Sequence, residues 1–163
     1  MSGERTPAVE ATVETTVEVL VRRLPHGIDL PLPAPATEGA AGADLRAAVE
    51  TPRTLQPGER AKVPTGVAIA LPVGWEAQVR PRSGLAWKHG IGMLNAPGTI
   101  DADYRGEICI LLVNHGDAPW TLARGDRIAQ LVVQRVPATR WVASDDLPGS
   151  GRGDGGFGHT GTR

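Results

Sequence analysis

Two carboxylates stand beside the chain's only Tyr in the run Gly98-Thr99-Ile100-Asp101-Ala102-Asp103-Tyr104-Arg105-Gly106. A carboxylate that follows an apolar residue can be held half-buried and ionised, as a general base acting on water requires. The same two Asp could also make turn hydrogen bonds and nothing more. A second candidate is Arg82-Ser83-Gly84, which opens the one stretch with helical character. Unpaired N–H groups at a helix start attract anions, and Arg adds a cation. A capping Ser beside an Arg is the plainer reading. Gln130 lies inside Ile128-Ala129-Gln130-Leu131-Val132-Val133. A strand Gln in such a run either sits at a satisfied edge or faces a ligand.

The fourth candidate is the C-terminal run. Between Gly149 and Gly161, 7 of 13 residues are Gly, and the chain's only Phe, Phe157, lies among them with Arg152, His159 and Thr160. Gly-rich backbone can fold closely around phosphates, and a Phe can stack on a base. Disordered tails lack aromatics, so a plain tail does not account for Phe157. Arg124-Gly125-Asp126 and Arg152-Gly153-Asp154 also spell a cell-adhesion tripeptide. The sequence carries no secretion signal to support that use.

The elements that must position these residues are short. The 163 residues include 21 Gly and 14 Pro, about a fifth of the chain, against about 12% in an ordinary soluble chain. Breakers this dense disfavour long helices. Alternation predicts strands over residues 16–22, 43–47, 62–71, 75–80, 91–94, 108–114 and 128–136, and a last one over Arg140–Ala143. The run from Val63 to Leu71 alternates most clearly. Ser83 is the expected N-cap of a single short helical turn, Gly84 to Lys88, closed by Gly90. Asn95-Ala96-Pro97-Gly98 reads as a turn, and 101–107 as a hairpin tip with Gly106 at positive φ. Many short strands separated by turns indicate an all-β sandwich or jelly roll.

Composition narrows the function class. Lys+Arg is 17 and Asp+Glu is 18, so there is no basic field of the kind a polymeric nucleic-acid binder shows. Of the basic residues only Lys62 and Lys88 are Lys. Arg grips phosphate in a bidentate way, although codon bias would give the same excess. Cys109 is the lone Cys, which excludes an intrachain disulfide and suits a reducing cytoplasm. The longest apolar run, Ile108 to Val113, is far short of the ~20 residues of a membrane span. The polar, acidic stretch Met1–Glu14 is unlike a signal peptide. The four His have no metal-ligand spacing.

Taken in order, these segments resemble the trimeric deoxyuridine triphosphatases (dUTP diphosphatases, or dUTPases), over about residues 17 to 163. Five motifs carry the resemblance. They are Ala41-Gly42-Ala43-Asp44-Leu45; Pro81-Arg82-Ser83-Gly84-Leu85-Ala86; Asn95 through Pro97-Gly98-Thr99-Ile100-Asp101 to Tyr104-Arg105-Gly106; Arg124-Gly125-Asp126-Arg127-Ile128-Ala129-Gln130-Leu131; and the arm from Arg152 to Gly161. His159 departs from the family, in which Ser is usual.

The resemblance implies a jelly-roll-like β-sandwich or barrel subunit with one short helix, assembled as a homotrimer. It implies hydrolysis of dUTP to dUMP and pyrophosphate with Mg²⁺. Asp101 would deprotonate the attacking water. Arg82, Ser83, Gly84 and Gln130 would line the phosphates, and Asp44 would reach the metal through water. Asn95, Gly98, Thr99, Ile100, Tyr104 and the Cys109 backbone would read uracil and deoxyribose. Arg152, Phe157, Gly158, His159 and Thr160 would close over the nucleotide from a third subunit. The expected organisation is a flexible tail (1–15), a β domain (16–143) and the Gly-rich arm (144–163). Two rivals come from other classes: a dCTP deaminase of the same fold, and a non-catalytic, nucleotide-binding trimeric regulator.

Overall fold

The computed structural model of the chain describes residues 16–159 and 161. The expected N-terminal tail and Thr160 lie outside the described residues. Twelve strands and one helix follow in order: β1 (Leu20–Arg23), β2 (Ala34–Pro35), β3 (Ala43–Arg46), β4 (Arg53–Leu55), β5 (Arg60–Pro64), β6 (Val67–Ala70), β7 (Trp75–Arg80), α1 (Ser83–His89), β8 (Ile91–Met93), β9 (Gly98–Ile100), β10 (Cys109–Asn114), β11 (Trp120–Leu122) and β12 (Arg127–Arg135). All pairings are antiparallel. The largest sheet has the order β2-β3-β12-β7-β9, and a three-stranded sheet, β5-β10-β8, is the next in size. Two two-stranded ribbons, β1-β6 and β11-β4, complete the set. This is the all-β, jelly-roll-like architecture with one short helix that the sequence predicts.

The sheets enclose one aliphatic core. Leu45, Leu55, Val63, Ile91, Ile108, Ile110, Leu112, Leu122 and Ile128 are essentially sealed from water. The only buried polar side chains among the described residues are Thr65 and Asn114, and both are bonded. Thr65 Oγ1 donates to the Ile108 carbonyl at 2.6 Å. Asn114 Nδ2 donates to the carbonyls of Leu55 and Ala118.

Several expectations are corrected. The predicted strand over 62–71 is two strands on different sheets, β5 and β6. The break falls at Gly66, with φ +70. An added Cβ there would stand 2.5 Å from the Gly27 Cα, so Gly66 is required by the close approach of Gly27. Ser83 does not cap α1. It is the first helical residue, Arg82 holds the cap position, and no side chain bonds the freed N–H groups there. Gly90 does close the helix, at φ 68. The first strand begins at Leu20 rather than Thr16. Arg140–Ala143 forms no strand; these residues are exposed and pair with none of the sheets. Gly106 is not among the glycines at positive φ. Its small size serves another purpose, described below.

Candidate active site

The first, second and fourth motifs meet at one end of the large sheet. Gln130 on β12 pairs with Asp44 on β3 to one side and with Arg80 on β7 to the other. The chain leaves β7 through Pro81 and turns into α1. Gln130 Nε2 donates to the Pro81 carbonyl at 3.0 Å, which ties the strand Gln to that turn. Gly42 faces the same amide, and an added Cβ there would stand 3.2 Å from the Gln130 Cδ. The Gln inside an apolar strand is therefore half-buried, bonded and flanked by backbone.

The charges at this end are arranged around Asp44. Arg82 Nε lies 3.1 Å from Asp44 Oδ1. Arg127 Nη1 donates to Asp44 Oδ2 at 3.0 Å. Arg82 Nη1 also donates to the Arg127 carbonyl at 3.1 Å. Asp44 is the better buried partner, with its side chain 16% exposed against 29% and 44% for the two Arg. The cluster carries more guanidinium than carboxylate, which favours an arriving anion. At the start of α1, Ser83 and Gly84 offer N–H groups that the helix itself cannot pair. An added Cβ at Gly84 meets nothing within 4 Å, so the chain's own packing does not demand glycine there. Arg127 has no assigned role in the sequence reading. Its signals are its place in the fourth motif and a basic residue at the head of an apolar strand.

The residues from Asn95 to Cys109 form an excursion between β8 and β10. These two strands pair directly, with Met93 opposite Leu112. Within the excursion, β9 crosses to the edge of the large sheet, where Gly98 faces Val79 and Ile100 faces Ala77. An added Cβ at Gly98 would stand 3.3 Å from Asn95 Nδ2, so the Asn95 amide lies over the start of β9. Thr99 is exposed and Ile100 is packed against the core. Asp101 follows at once, exposed. Among the described residues its carboxylate takes no part in an ion pair.

Tyr104 closes the turn that follows. Its N–H donates to the Asp101 carbonyl at 3.1 Å. Its hydroxyl donates to the Glu107 carbonyl at 2.9 Å. An added Cβ at Gly106 would stand 2.6 Å from the Tyr104 Cζ, so Gly106 makes room for the ring. Cys109 begins β10 and is partly covered. Burial pushes its thiol up from the ordinary value, Glu107 adds to that, and Lys62 offsets part of it. A thiol kept protonated is a poor nucleophile.

In one copy of the chain these two groups of residues are far apart. Asp101 stands one residue past the Ile100–Ala77 pair, level with Glu76 on β7. The end of β7 at Arg80 lies four residues further along that line, about 13 Å at ~3.3 Å per residue, and Arg82 follows beyond it. The arm is separate again. Its bonds are internal, such as Arg152 Nε to the Gly155 carbonyl at 2.7 Å. The His159 ring packs on Gly155, where an added Cβ would stand 2.6 Å from the ring. Phe157 is fully exposed, at φ 48. A hollow of about 880 Å³ beside Trp75 and Arg135 holds none of the expected site residues.

The donor set bears on a metal. No group of three or more His, Cys, Asp or Glu that could hold an ion occurs among the described residues. Asp44 is a single carboxylate, and both its oxygens already face Arg. This fits a cation held mainly by ligand oxygens and water, as Mg²⁺ commonly is, and does not fit a closed protein site. Among the described residues no helix is long and apolar enough to cross a membrane.

Known proteins resemble the chain closely. The dUTPase family model matches residues 29–161. The chain is 60% identical over 146 residues to the deoxyuridine 5′-triphosphate nucleotidohydrolase of Anaeromyxobacter sp. (strain Fw109-5), covering 89% of this chain and 98% of that one. The dUTPase of Staphylococcus bacteriophage 80alpha, solved with dUPNHPP, superposes with a TM-score of 0.81 at 25% identity, over 90% of this chain and all of that one. A dUTPase from phage phi11 of S. aureus, in which a structural Mg(II) ion is coordinated, shares the fold at a TM-score of 0.71 and 22% identity, over 81% and 99% of the two chains. With a family model spanning most of its length and a relative this similar, the chain belongs to the dUTPase family.

Proposed function

We propose that this protein hydrolyses dUTP to dUMP and pyrophosphate at sites shared between three copies of the chain. The observation that carries the reading is the family match, whose span of 29–161 takes in every expected site residue from Asp44 to Thr160. The geometry supports it. Arg82, Ser83, Gly84 and Gln130 form the phosphate side, with Asp44 and Arg127 holding Arg82 in place. Asn95, Gly98, Thr99, Ile100, Tyr104 and the Cys109 backbone form the nucleoside side. Asp101 and Arg82 lie toward opposite ends of β7, which is consistent with Asp101 of one copy serving Arg82 of another. The homotrimer with three shared sites is what the family resemblance implies.

The reaction then runs as a displacement at the α-phosphorus. Asp101 holds a water and takes its proton as the water oxygen bonds to that phosphorus. The bond from the α-phosphorus to the bridging oxygen breaks, and pyrophosphate leaves. Arg82 and Gln130 hold the phosphate oxygens in line, which is where most of the rate in phosphoryl transfer arises. When bound, Mg²⁺ would supply charge neutralisation on the triphosphate, and Asp44 would help to hold it through water. Arg152, Phe157, Gly158, His159 and Thr160, on the arm (144–163), close over the nucleotide and exclude bulk water. The β domain (16–143) carries everything else, and residues 1–15 serve as a tail. The protonated Cys109 takes no chemical part, and a lone Cys suits the cytoplasm as the place of action.

Pyrophosphate release measured with dUTP, dTTP, dCTP and UTP tests this. Release from dUTP well above the other three is the expected result. Ammonia from dCTP without pyrophosphate from dUTP would establish the deaminase instead. Tight dUTP binding without turnover would establish the regulator. Light scattering tests the assembly, with about three times the 17.1 kDa chain mass expected.

A further inference from the structure

Tyr104 is fixed by its hydroxyl bond to the Glu107 carbonyl at 2.9 Å. The rest of its turn is self-contained. Arg105 Nη1 donates to the carbonyls of Ala102 and Tyr104, and the Tyr104 N–H donates to Asp101. Glu107 is one point at which this turn is tied to the body of the fold, beside Ala102, which packs against the core, and the Ile108 N–H, which donates to the Val67 carbonyl at 2.9 Å. The Glu107 side chain shows how. One carboxylate oxygen, Oε1, accepts from the Gly66 N–H at 2.8 Å and from His26 Nε2 at 2.8 Å. An oxygen so placed is purely an acceptor, so the His26 ring nitrogen facing it is the donor.

Both anchors are rigid for reasons independent of the turn. Gly66 sits at positive φ against Gly27, and the Leu24 N–H donates to its carbonyl at 2.8 Å. His26 lies in a 3-10 turn, Pro25–Gly27. Its own carbonyl accepts from Arg124 Nη2 at 2.7 Å. Arg124 is in turn paired with Asp29. A continuous set of bonds thus runs from the Arg124 loop through His26 and Glu107 to the Tyr104 hydroxyl. His26 itself is bonded to Glu107 and Arg124, whereas Tyr104 bonds to Glu107 and Asp101.

We infer that His26 and Glu107 are positioning residues for sugar selection. This rests on the reading of the site as a dUTPase, with Tyr104 against the deoxyribose. The His26–Glu107–Gly66 clamp holds the Glu107 backbone, and that backbone holds the Tyr104 ring where a 2′-hydroxyl would collide with it. Losing the clamp frees the ring to move aside and admit a ribonucleotide. Discrimination that depends on a fixed wall falls when the wall can yield. The clamp acts on selectivity rather than on the chemical step, because Asp101 directly follows β9, which is paired to β7, and the phosphate ligands are held by other bonds.

Tyr104 is the only Tyr in the chain, so fluorotyrosine labelling of the full-length protein gives one fluorine resonance that reports this ring alone. The test compares His26→Ala, His26→Gln, Glu107→Ala and Tyr104→Phe. His26→Ala is the decisive variant, and its resonance is expected to shift and broaden. The ratio of kcat/KM for dUTP to that for UTP is expected to fall about tenfold, mainly through KM, with kcat for dUTP little changed. His26→Gln, whose amide can also donate to Glu107, is expected to recover most of both signals. Tyr104→Phe combined with His26→Ala is expected to be no less selective than Tyr104→Phe alone, since the two act through one linkage. An unmoved resonance together with an unchanged dUTP/UTP ratio in folded His26→Ala overturns the clamp. So does an additive loss in the double variant. If the unaltered protein does not hydrolyse dUTP, the functional reading fails while the fluorine signal still decides whether His26 positions Tyr104.

Discussion

Arg82 Nε lies 3.1 Å from Asp44 Oδ1, and that ion pair joins the strand of the first motif to the start of α1. Arg127 takes the other carboxylate oxygen, at 3.0 Å. Asp44 thus orients two guanidiniums as well as standing next to the proposed metal. Replacing it by Asn keeps the shape and removes the charge. Asp44→Asn is expected to lower kcat/KM for dUTP by about 10–100-fold, the usual cost of losing an outer-sphere partner. A titration of rate against Mg²⁺ should show the requirement moved to higher concentration. An unchanged Mg²⁺ profile would place the ion away from Asp44. Stability should change little, because partly exposed ion pairs contribute about 0–1 kcal/mol.

Gly84 separates function from stability. Its helical position carries no packing demand, since an added Cβ meets nothing within 4 Å. Alanine there should stabilise the isolated fold by up to about 1 kcal/mol, as Ala over Gly does within a helix. The same methyl would crowd a phosphate oxygen approaching the Ser83 and Gly84 N–H groups. Gly84→Ala is therefore expected to melt at the same temperature or higher while losing roughly tenfold or more in kcat/KM. Thermal denaturation and pyrophosphate release on one preparation check both. Full activity would show that no ligand comes close to Gly84.

Much of this arrangement is legible in the sequence, and the exceptions have physical causes. Alternating runs such as Trp75–Arg80 give strands, because one face of each meets the core. Gly66 defeats that reasoning. It continues the alternation of its neighbours, and its positive φ follows from Gly27, nearly forty positions away. Strands of two or three residues, such as Ala34–Pro35 and Trp120–Leu122, are too short to show a period. Arg140–Ala143 has the pattern of a strand but is exposed on both faces, so no core contact draws it into a sheet. In the site, the motif residues are individually recognisable by type. Their division into two groups toward opposite ends of β7 is visible only once Ile100 is seen opposite Ala77.

Asp101 is the proposed base. It is exposed at the end of β9 and has no ion-pair partner among the described residues, so none of them neutralises the carboxylate that would hold the water. Asp101→Asn preserves the size of the side chain and removes its capacity to accept a proton. Turnover is expected to fall by about 10²–10⁴-fold, the usual contribution of general-base catalysis. Affinity for a non-hydrolysable dUTP analogue, measured by calorimetry, should remain within a few-fold. Near-normal turnover would exclude Asp101 as the base.

Cys109 gives a pH dependence with a definite sign. Burial is the main cause that raises its thiol, and the folded state therefore favours the protonated form. The stability this contributes is complete below the ordinary thiol range, about 8.5. It is lost as the pH rises through the higher value in the folded protein. Urea midpoints should thus fall more steeply on the alkaline side in the unaltered protein than in Cys109→Ala. Alkylation near neutral pH should be slower in the folded protein than in urea and should leave turnover intact until the fold opens. Fast alkylation of the native protein would show that the thiol is neither shielded nor raised.

The arm gives the sharpest separation between assembly and activity. Between Gly149 and Gly161 the described residues bond only to one another, as in the Gly153 N–H to Ser150 carbonyl and His159 N–H to Gly156 carbonyl contacts. Phe157, the only Phe in the chain, contributes nothing to the core. Removing Ser150–Arg163 should therefore leave the melting temperature and the trimer unchanged, because no core or sheet contact is lost. Turnover should nearly vanish, because closure over the nucleotide excludes water and completes the phosphate contacts. Phe157→Ala should reproduce part of that loss, chiefly in KM, as expected for a ring that stacks on the base. If arms act on neighbouring subunits, mixing the truncated protein with Asp101→Asn should restore activity by forming hybrid trimers. In such hybrids some sites combine an intact Asp101 from a truncated chain with an intact arm from a full-length one. Recovery of dUTP hydrolysis on mixing, under conditions that allow subunit exchange, is the outcome a shared site requires. Its absence, with exchange verified by mass spectrometry, would confine each arm to its own chain's site.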